Sequence, residues 1–69
     1  MLPVAALKDK LRNARRRAAF TQGDLANKSG VGITTITRIE SGHITEPRVS
    51  TLRKLATALD LEARELLDD

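Results

Sequence analysis

Apolar residues recur along this chain at helical spacing, and the first stripe of them covers its N-terminal part. Successive members are three or four positions apart: Val4, Leu7, Leu11, Ala14 and Ala18. That spacing places side chains on one face of an α-helix. Pro3 suits the first turn of such a helix, because this position needs no backbone N–H donor. We therefore predict a first helix with an apolar inner face and a basic outer face formed by Lys8, Arg12 and Arg16.

Two shorter helices joined by a sharp turn are predicted next. Thr21 is a favourable N-cap for the second helix, and Asp24, three residues on, completes a short capping box. Gly30 follows where this helix must end, since glycine adopts positive φ at little cost. Gly32 is a weaker cap, but it can begin a third helix over residues 33–41.

Two further groups of apolar residues complete the pattern. A fourth helix is predicted by Val49, Leu52, Leu55, Ala56 and Leu59, and a short fifth helix by Leu61, Leu66 and Leu67. β-Branched residues are too scattered to form a sheet. We therefore predict an all-α fold, a compact five-helix domain that occupies residues 1–69 with a core over about residues 4–67.

The segment from Thr21 to Ser41 has small and apolar residues where a helix-turn-helix unit requires them. Ala26 is small, as it must be where the third helix crosses close above it, and Gly30 makes the turn. The angle of the third helix is set by four aliphatic residues: Leu25, Val31, Ile36 and Ile39. A plain helical hairpin accounts for two or three of these six matches. All six in register, beside a basic first helix, favour a DNA-binding unit built from helices 2 and 3.

Charge is distributed unevenly along the chain. Residues 1–54 carry eleven Lys and Arg against four Asp and Glu, a net charge of +7, whereas residues 55–69 carry one Arg against five carboxylates, a net charge of −4. The basic part is the candidate surface for a polyanion, because Lys and Arg that displace counterions supply most non-specific nucleic-acid affinity. Phe20 is the only aromatic residue. Proteins that bind single-stranded nucleic acid usually stack its bases on several aromatic side chains, so this ligand is not favoured. Duplex DNA is the expected ligand.

Composition argues against several other classes of function. The chain has no cysteine and one histidine, so it lacks disulfides and the ligands of a zinc site. It also has no glycine-rich phosphate loop after a strand and no carboxylate pair in a recognisable cleft. We expect no enzymatic activity, no metal, no cofactor and no small-molecule ligand. Without a signal peptide or a run of about 18 apolar residues, we expect no membrane association and a cytoplasmic location.

A set of motifs spread over most of the chain points to one family. They are Arg15, TQGDLA at 21–26, GV at 30–31, TITRIESG at 35–42, and Pro47 followed by Leu52, Leu55, Ala56 and Leu59. From about Leu7 to Leu66 the chain resembles the Cro/C1-type, or XRE-family, helix-turn-helix domain of phage repressors. Two positions depart from the pattern, since Gly23 replaces a charged residue and Gly32 replaces the commoner Ser or Thr cap. Both changes lower helix stability without altering the recognition surface.

The resemblance implies a lambda-repressor-like fold and a sequence-specific regulator of transcription, a repressor, whose third helix enters the major groove of double-stranded DNA. The candidate DNA-binding residues are Gln22, Ile33, Thr34, Thr37, Arg38, His43 and Arg48. Arg38 can make a bidentate contact with guanine, and a phosphate contact is its alternative. Arg48 is the strongest phosphate candidate. For Thr34 and Thr37 the alternative is a solvated helix face, and for His43 it is plain solvation.

The resemblance also implies roles outside the third helix. The family residues that match Arg15 and Glu40 form an internal ion pair, which would tie the first helix to the recognition helix. Gln22 matches a family glutamine that bonds a phosphate and can buttress the recognition helix. Arg16 or Arg17 is the candidate for a flanking phosphate contact, with a solvated charged face as the alternative.

Expectations about partners follow from the same resemblance. We expect a homodimer, at least on DNA, bound to a palindromic operator with half-sites about 34 Å apart. The candidate dimer surface is the region of the fourth and fifth helices, with Leu61, Leu66 or Leu67 exposed, and core packing of these leucines is the alternative. An antitoxin or protein-interaction module of the same fold, with a toxin as partner, is the other function considered. Such antitoxins usually carry a further toxin-binding segment, so the end of the sequence at Asp69 favours a regulator or an excised DNA-binding domain.

Overall fold

The computed structural model describes residues 6–67, which form five helices and no strand. In chain order these are α1 Leu7–Arg17, α2 Gln22–Ser29, α3 Ile33–Glu40, α4 Val49–Ala58 and α5 Ala63–Leu67. The predicted all-α, five-helix fold is confirmed, although the third helix ends one residue earlier than predicted, with Ser41 as its C-cap. None of the helices within residues 6–67 has the length and apolar character that a membrane span requires.

The first helix begins at Leu7, because Ala6 before it has an extended backbone (φ −73°, ψ 159°) and acts as the N-cap. Pro3 and Val4, which the sequence assigned to this helix, lie outside the described residues. The other members of the predicted stripe lie in or against the core: Leu7, Leu11, Ala14 and Ala18.

The core lies where the five helices meet. Within residues 6–67 the buried apolar side chains are Leu11, Ala14, Leu25, Val31, Ile36, Ile39, Leu52, Leu55, Ala56, Ala58, Leu59 and Leu66. Helix α1 packs on α3 and α5, α2 packs on α3 and α4, and α4 packs on α5. The four aliphatic residues predicted to set the angle of the third helix are all among the buried ones, and Ala26 packs against them partly buried. The inward half of the helix-turn-helix pattern is confirmed.

The three leucines at the C-terminal end have different environments. Leu66 is 1% exposed and belongs to the core, so for this residue the alternative of core packing holds and exposure at a dimer surface does not. Leu61 is partly buried against the core. Leu67, the next residue of the short helix α5, is 53% exposed. Of the three, Leu67 is therefore the apolar side chain that α5 presents at the surface.

The start and end of α2 follow local signals. Thr21 Oγ1 accepts a hydrogen bond from Asp24 N at 3.0 Å, and the Asp24 carboxylate accepts one from Thr21 N at 2.9 Å, so the capping box is confirmed. Hydrogen bonding of the Asp24 carboxyl, first with the Thr21 backbone N–H and then with the Thr21 side chain, lowers the pKa of Asp24. Gly30 ends the helix with φ +76°, and a Cβ atom there would meet open space. Backbone conformation rather than crowding favours glycine at this turn.

Three helices end in the same hydrogen-bond pattern, the Schellman motif. At the end of α1, Phe20 N donates to Arg15 O at 3.1 Å and Ala19 N donates to Arg16 O at 3.0 Å. The left-handed residue of each motif is Ala19 (φ 60°) after α1, Gly42 (φ 86°) after α3 and Asp60 (φ 59°) after α4. Because a Cβ atom disfavours this conformation, α1 and α4 end with a local strain that α3 avoids.

Candidate nucleic-acid interface

Helix α3 has one face in the core and the other at the surface. Ile36 and Ile39 are fully buried, and Glu40 is 6% exposed. The residues of the outer face are all exposed: Ile33, Thr34, Thr37 and Arg38. Since α3 is held by α1 and α2, the inner residues fix its position while the outer ones are available to a ligand.

An ion pair between Arg15 and Glu40 joins α1 to α3. Arg15 Nε donates to Glu40 Oε2 at 2.7 Å, and Arg15 Nη2 donates to Glu40 Oε1 at 2.9 Å. This is the bidentate arrangement that a guanidinium and a carboxylate favour. The remaining nitrogen, Nη1, donates to the Phe20 carbonyl at 2.8 Å. The side chains of Arg15 and Glu40 are 12% and 5% exposed, so this pair anchors α3 from inside the domain.

The surroundings of this pair keep both groups charged. Burial by itself raises the pKa of Glu40, but hydrogen bonds from Arg15 and Gln22, together with the charges of Arg15 and Arg12, outweigh it. The pKa of Glu40 therefore lies below its ordinary value. The hydrogen bond to Glu40 is also the main cause that raises the pKa of Arg15. At neutral pH the contact is an arginine cation against a carboxylate.

Gln22, the first residue of α2, extends this network to the outer face of α3. Its Nε2 donates to Glu40 Oε1 at 3.2 Å, and its Oε1 accepts from Thr37 Oγ1 at 3.4 Å. The Thr37 hydroxyl also lies 2.9 Å from the Ile33 carbonyl oxygen, to which it donates. A continuous set of hydrogen bonds thus runs from Arg15 in α1 to an exposed side chain of α3.

The sequence of these helices matches the model of a known protein family. The profile of the helix-turn-helix family covers residues 11–66, which include the ion pair, Gln22 and all of α3. The chain belongs to the helix-turn-helix family of Cro/C1 type.

Both a sequence relative and solved structures are similar to this helix-turn-helix domain. The HTH-type transcriptional regulator SlrR of Bacillus subtilis is 36% identical over 58 residues, which are 84% of this chain and 38% of SlrR. A crystal structure of SinR, the master regulator for biofilm formation, in complex with DNA is 27% identical and matches with a TM-score of 0.87, covering 90% of this chain and 98% of that one. A SinR protein/SinI protein complex matches with a TM-score of 0.87 at 27% identity, covering 91% and 61%. The chain therefore spans less than half the length of SlrR.

Three candidate residues of the helix-turn-helix domain lie in or just after α3 and carry unused polar groups. Arg38 is exposed, and so is Arg48, the N-cap residue of α4. Neither guanidinium has a hydrogen-bond or ion-pair partner within residues 6–67. His43 is exposed as well, with Nδ1 2.7 Å from Ser41 Oγ, which itself donates to the Arg38 carbonyl. The two arginines can accordingly meet phosphate oxygens or base edges without breaking an internal contact.

The arginines of α1 fall into two groups. Arg12 donates to Asp9 three residues earlier, at 2.5 Å, so a carboxylate partly neutralises its charge. Arg16 and Arg17 are exposed and have no carboxylate partner among the described residues. Their guanidinium groups are therefore available to an external anion.

The fold also brings together cations that the sequence leaves far apart. Lys28 Nζ lies 5.2 Å from the centroid of the Phe20 ring, a cation–π contact. Lys28 also lines a groove between α2 and α4 with Arg53 and Lys54. This second basic surface was missed from the sequence, because only the packing of α2 on α4 places these residues side by side.

The described residues contain neither a cluster of metal ligands nor a buried polar side-chain atom without a partner. Within residues 6–67, no group of three or more His, Cys, Asp or Glu side chains is placed to hold a metal ion. Every buried polar side-chain atom in that part of the chain has a hydrogen-bond partner.

Proposed function

We propose that this chain binds double-stranded DNA at specific sequences and represses transcription by placing α3 in the major groove. The observation that carries this proposal is the exposed polar outer face of α3, held rigidly by two isoleucines and an ion pair on its inner face. A helix presented in this way fits the major groove, which reads bases through side chains. The structural likeness to SinR in complex with DNA supports the same function.

Individual residues take different roles in this proposal. Arg38 is assigned to a base edge, because its guanidinium is exposed on α3 and unpaired. Ile33, 50% exposed, fits a thymine methyl group. Gln22, Arg48 and His43 are assigned to phosphates, since they flank α3 rather than lie on its outer face. Thr34 completes the set on the first turn of α3.

The proposed functional unit is a homodimer on a palindromic operator. One copy of α3 presents only four outward side chains, which is a small reading surface, and a two-fold pair doubles it. Leu67, exposed on α5, is the apolar side chain that the C-terminal region offers to a second copy. We place this activity in the cytoplasm and assign no enzymatic step to it.

A protein-interaction role is the second candidate. The relative SinR has been solved with the protein SinI as well as with DNA. The basic groove of Lys28, Arg53 and Lys54 is a separate charged surface on which an acidic partner such as a toxin can dock. In that case DNA binding would be weak or absent, and the two candidates predict opposite results in a single assay.

Selection of bound duplexes from a random library, followed by anisotropy titrations at several salt concentrations, tests the proposal. We expect a palindromic site and an affinity that falls steeply as salt rises. Arg53→Gln is a matched control, because it removes one charge from the second basic surface and leaves α3 unchanged. Absence of salt-dependent binding to any duplex would reject DNA binding in favour of the protein-interaction role.

A further inference from the structure

The hydroxyl of Thr37 has its single hydrogen engaged inside the protein. Its oxygen lies 2.9 Å from the Ile33 carbonyl oxygen and 3.4 Å from the Gln22 side-chain oxygen. Both neighbours are carbonyl oxygens, which accept hydrogen bonds and cannot donate them. Thr37 must therefore be the donor in either contact, and only its lone pairs are left for an external partner.

The orientation of the Gln22 amide follows from Glu40. The Glu40 carboxylate only accepts hydrogen bonds when ionised, and its pKa is below the ordinary value because hydrogen bonds and nearby cations outweigh burial. Gln22 must therefore turn its NH₂ group toward Glu40, where Nε2 lies 3.2 Å from Oε1. Its carbonyl oxygen then faces Thr37. Reversing the amide would bring two acceptors together at Glu40 and put a donor against Thr37.

This network gives the two polar neighbours on α3 opposite hydrogen-bonding characters. Arg38, with an exposed and unpaired guanidinium, can only donate. Thr37, also exposed, can only accept unless it abandons the Ile33 carbonyl at 2.9 Å. In the major groove the acceptors are guanine O6 and N7, adenine N7 and thymine O4, and the donors are the amino groups of adenine and cytosine.

We infer that Thr37 contacts the exocyclic amino group of an adenine or a cytosine, and not a guanine, a thymine carbonyl or a phosphate. The inference rests on the proposed DNA-binding function and deepens it. Phosphate oxygens are acceptors, so a hydroxyl whose hydrogen is held by Ile33 has no bond to offer them. Gln22 Nε2 donates one of its two hydrogens to Glu40, and the second, which has no acceptor within residues 6–67, suits a phosphate. The contacts of the Thr37 hydroxyl with the Ile33 carbonyl and the Gln22 amide oxygen thus determine which edge of a base pair this part of α3 reads.

The test is a cycle between protein variants and modified bases in the selected operator. Each adenine is replaced in turn by purine, and each cytosine by 2-pyrimidinone, so that one amino group is removed at a time. At one position we expect the removal to weaken binding of the wild-type protein by roughly 2- to 10-fold, the range for one neutral hydrogen bond. Thr37→Val keeps the shape but lacks the hydroxyl, so its binding should not weaken when the amino group at that position is removed. Thr37→Ser keeps a hydroxyl, so its binding should weaken as that of the wild type does.

Thr34→Val is the matched control. Thr34 is also an exposed threonine of α3, but its hydroxyl has no hydrogen-bond partner within residues 6–67. Binding by Thr34→Val should therefore still weaken when the amino group contacted by Thr37 is removed. If no position distinguishes wild type from Thr37→Val, or if the coupling is to a guanine or thymine oxygen, the inference is overturned while the DNA-binding function stands. If the wild-type protein binds no duplex, both fail together.

Discussion

The inner and outer faces of the same short helix, α3, differ in burial: the inner side chains lie in the core, and the outer ones are exposed. The inner face has two fully buried isoleucines and a carboxylate held by three hydrogen bonds. The outer face has two threonines, an arginine and an isoleucine, all exposed. The inner face contributes stability and orientation, whereas the outer face contributes contacts that exist only with a ligand. Mutations on the two faces should therefore separate stability from binding, and four experiments test this separation.

The largest effect is expected from Glu40→Ala. Removal of the carboxylate leaves Arg15, whose side chain is 12% exposed, without its partner, and such a loss costs about 3–5 kcal/mol of unfolding free energy. A small domain has little stability to spare. Thermal and urea unfolding followed by circular dichroism measure the change. A melting temperature within a degree or two of wild type would show that the inner face does not depend on this pair.

Acid should reproduce part of that loss. Because the pKa of Glu40 is lower in the folded chain than in the unfolded one, its contribution is complete above the unfolded value of about 4.3 and disappears as pH falls through the folded value. We expect the free energy of unfolding to decrease on acidification below about pH 5. Glu40→Gln, which has no proton to take up, is the control and should depend less on pH. Parallel pH profiles for the two proteins would contradict the assignment.

Arg38→Ala is expected to change recognition without changing stability. Arg38 is exposed and unpaired, so the melting temperature should stay near that of wild type. Discrimination at one base pair of the operator should fall by about 1–3 kcal/mol. Binding to a panel of single-substitution operators measures this. Equal losses on every sequence would assign Arg38 to a phosphate and leave base reading to its neighbours.

The smallest effect is expected from Arg48→Ala, at the edge of the outer face. Loss of one phosphate contact should weaken binding to all sequences alike and reduce the slope of log affinity against log salt by about one. The same salt titration on Arg53→Ala serves as the control, since Arg53 lines the groove between α2 and α4. An unchanged slope in Arg48→Ala would place this residue outside the interface.

The inner face of α3 was largely predictable from the sequence. The family resemblance also implied that Gln22 supports this helix, but Thr37 as its partner was not predictable. Ile36 and Ile39 follow from helical periodicity, and Thr21 with Asp24 from capping chemistry, because both are local patterns. The placement of Arg15 beside Glu40, 25 residues later, was implied only by the family resemblance, since no local pattern connects them.

The contact of Gln22 with Thr37 depends on the crossing of α2 over α3 and on the orientation of an amide, and neither is encoded by spacing. Leu66 and Leu67 show the same limit. They are adjacent and chemically identical, so only the direction in which α5 packs decides which one is buried. Sequence patterns thus predict the framework of the domain, whereas the hydrogen-bond directions within its interface depend on how the helices pack.

The left-handed residue after α1 has a consequence for how this domain can change over time. Ala19 adopts φ 60°, where glycine is sterically easier, and its side chain is exposed. A left-handed alanine costs roughly 1 kcal/mol. Ala19→Gly relieves that strain, so one substitution at a surface position can increase the stability of the domain. A lineage that acquires it can accept a destabilising change on α3 and explore new operator sequences while still folding.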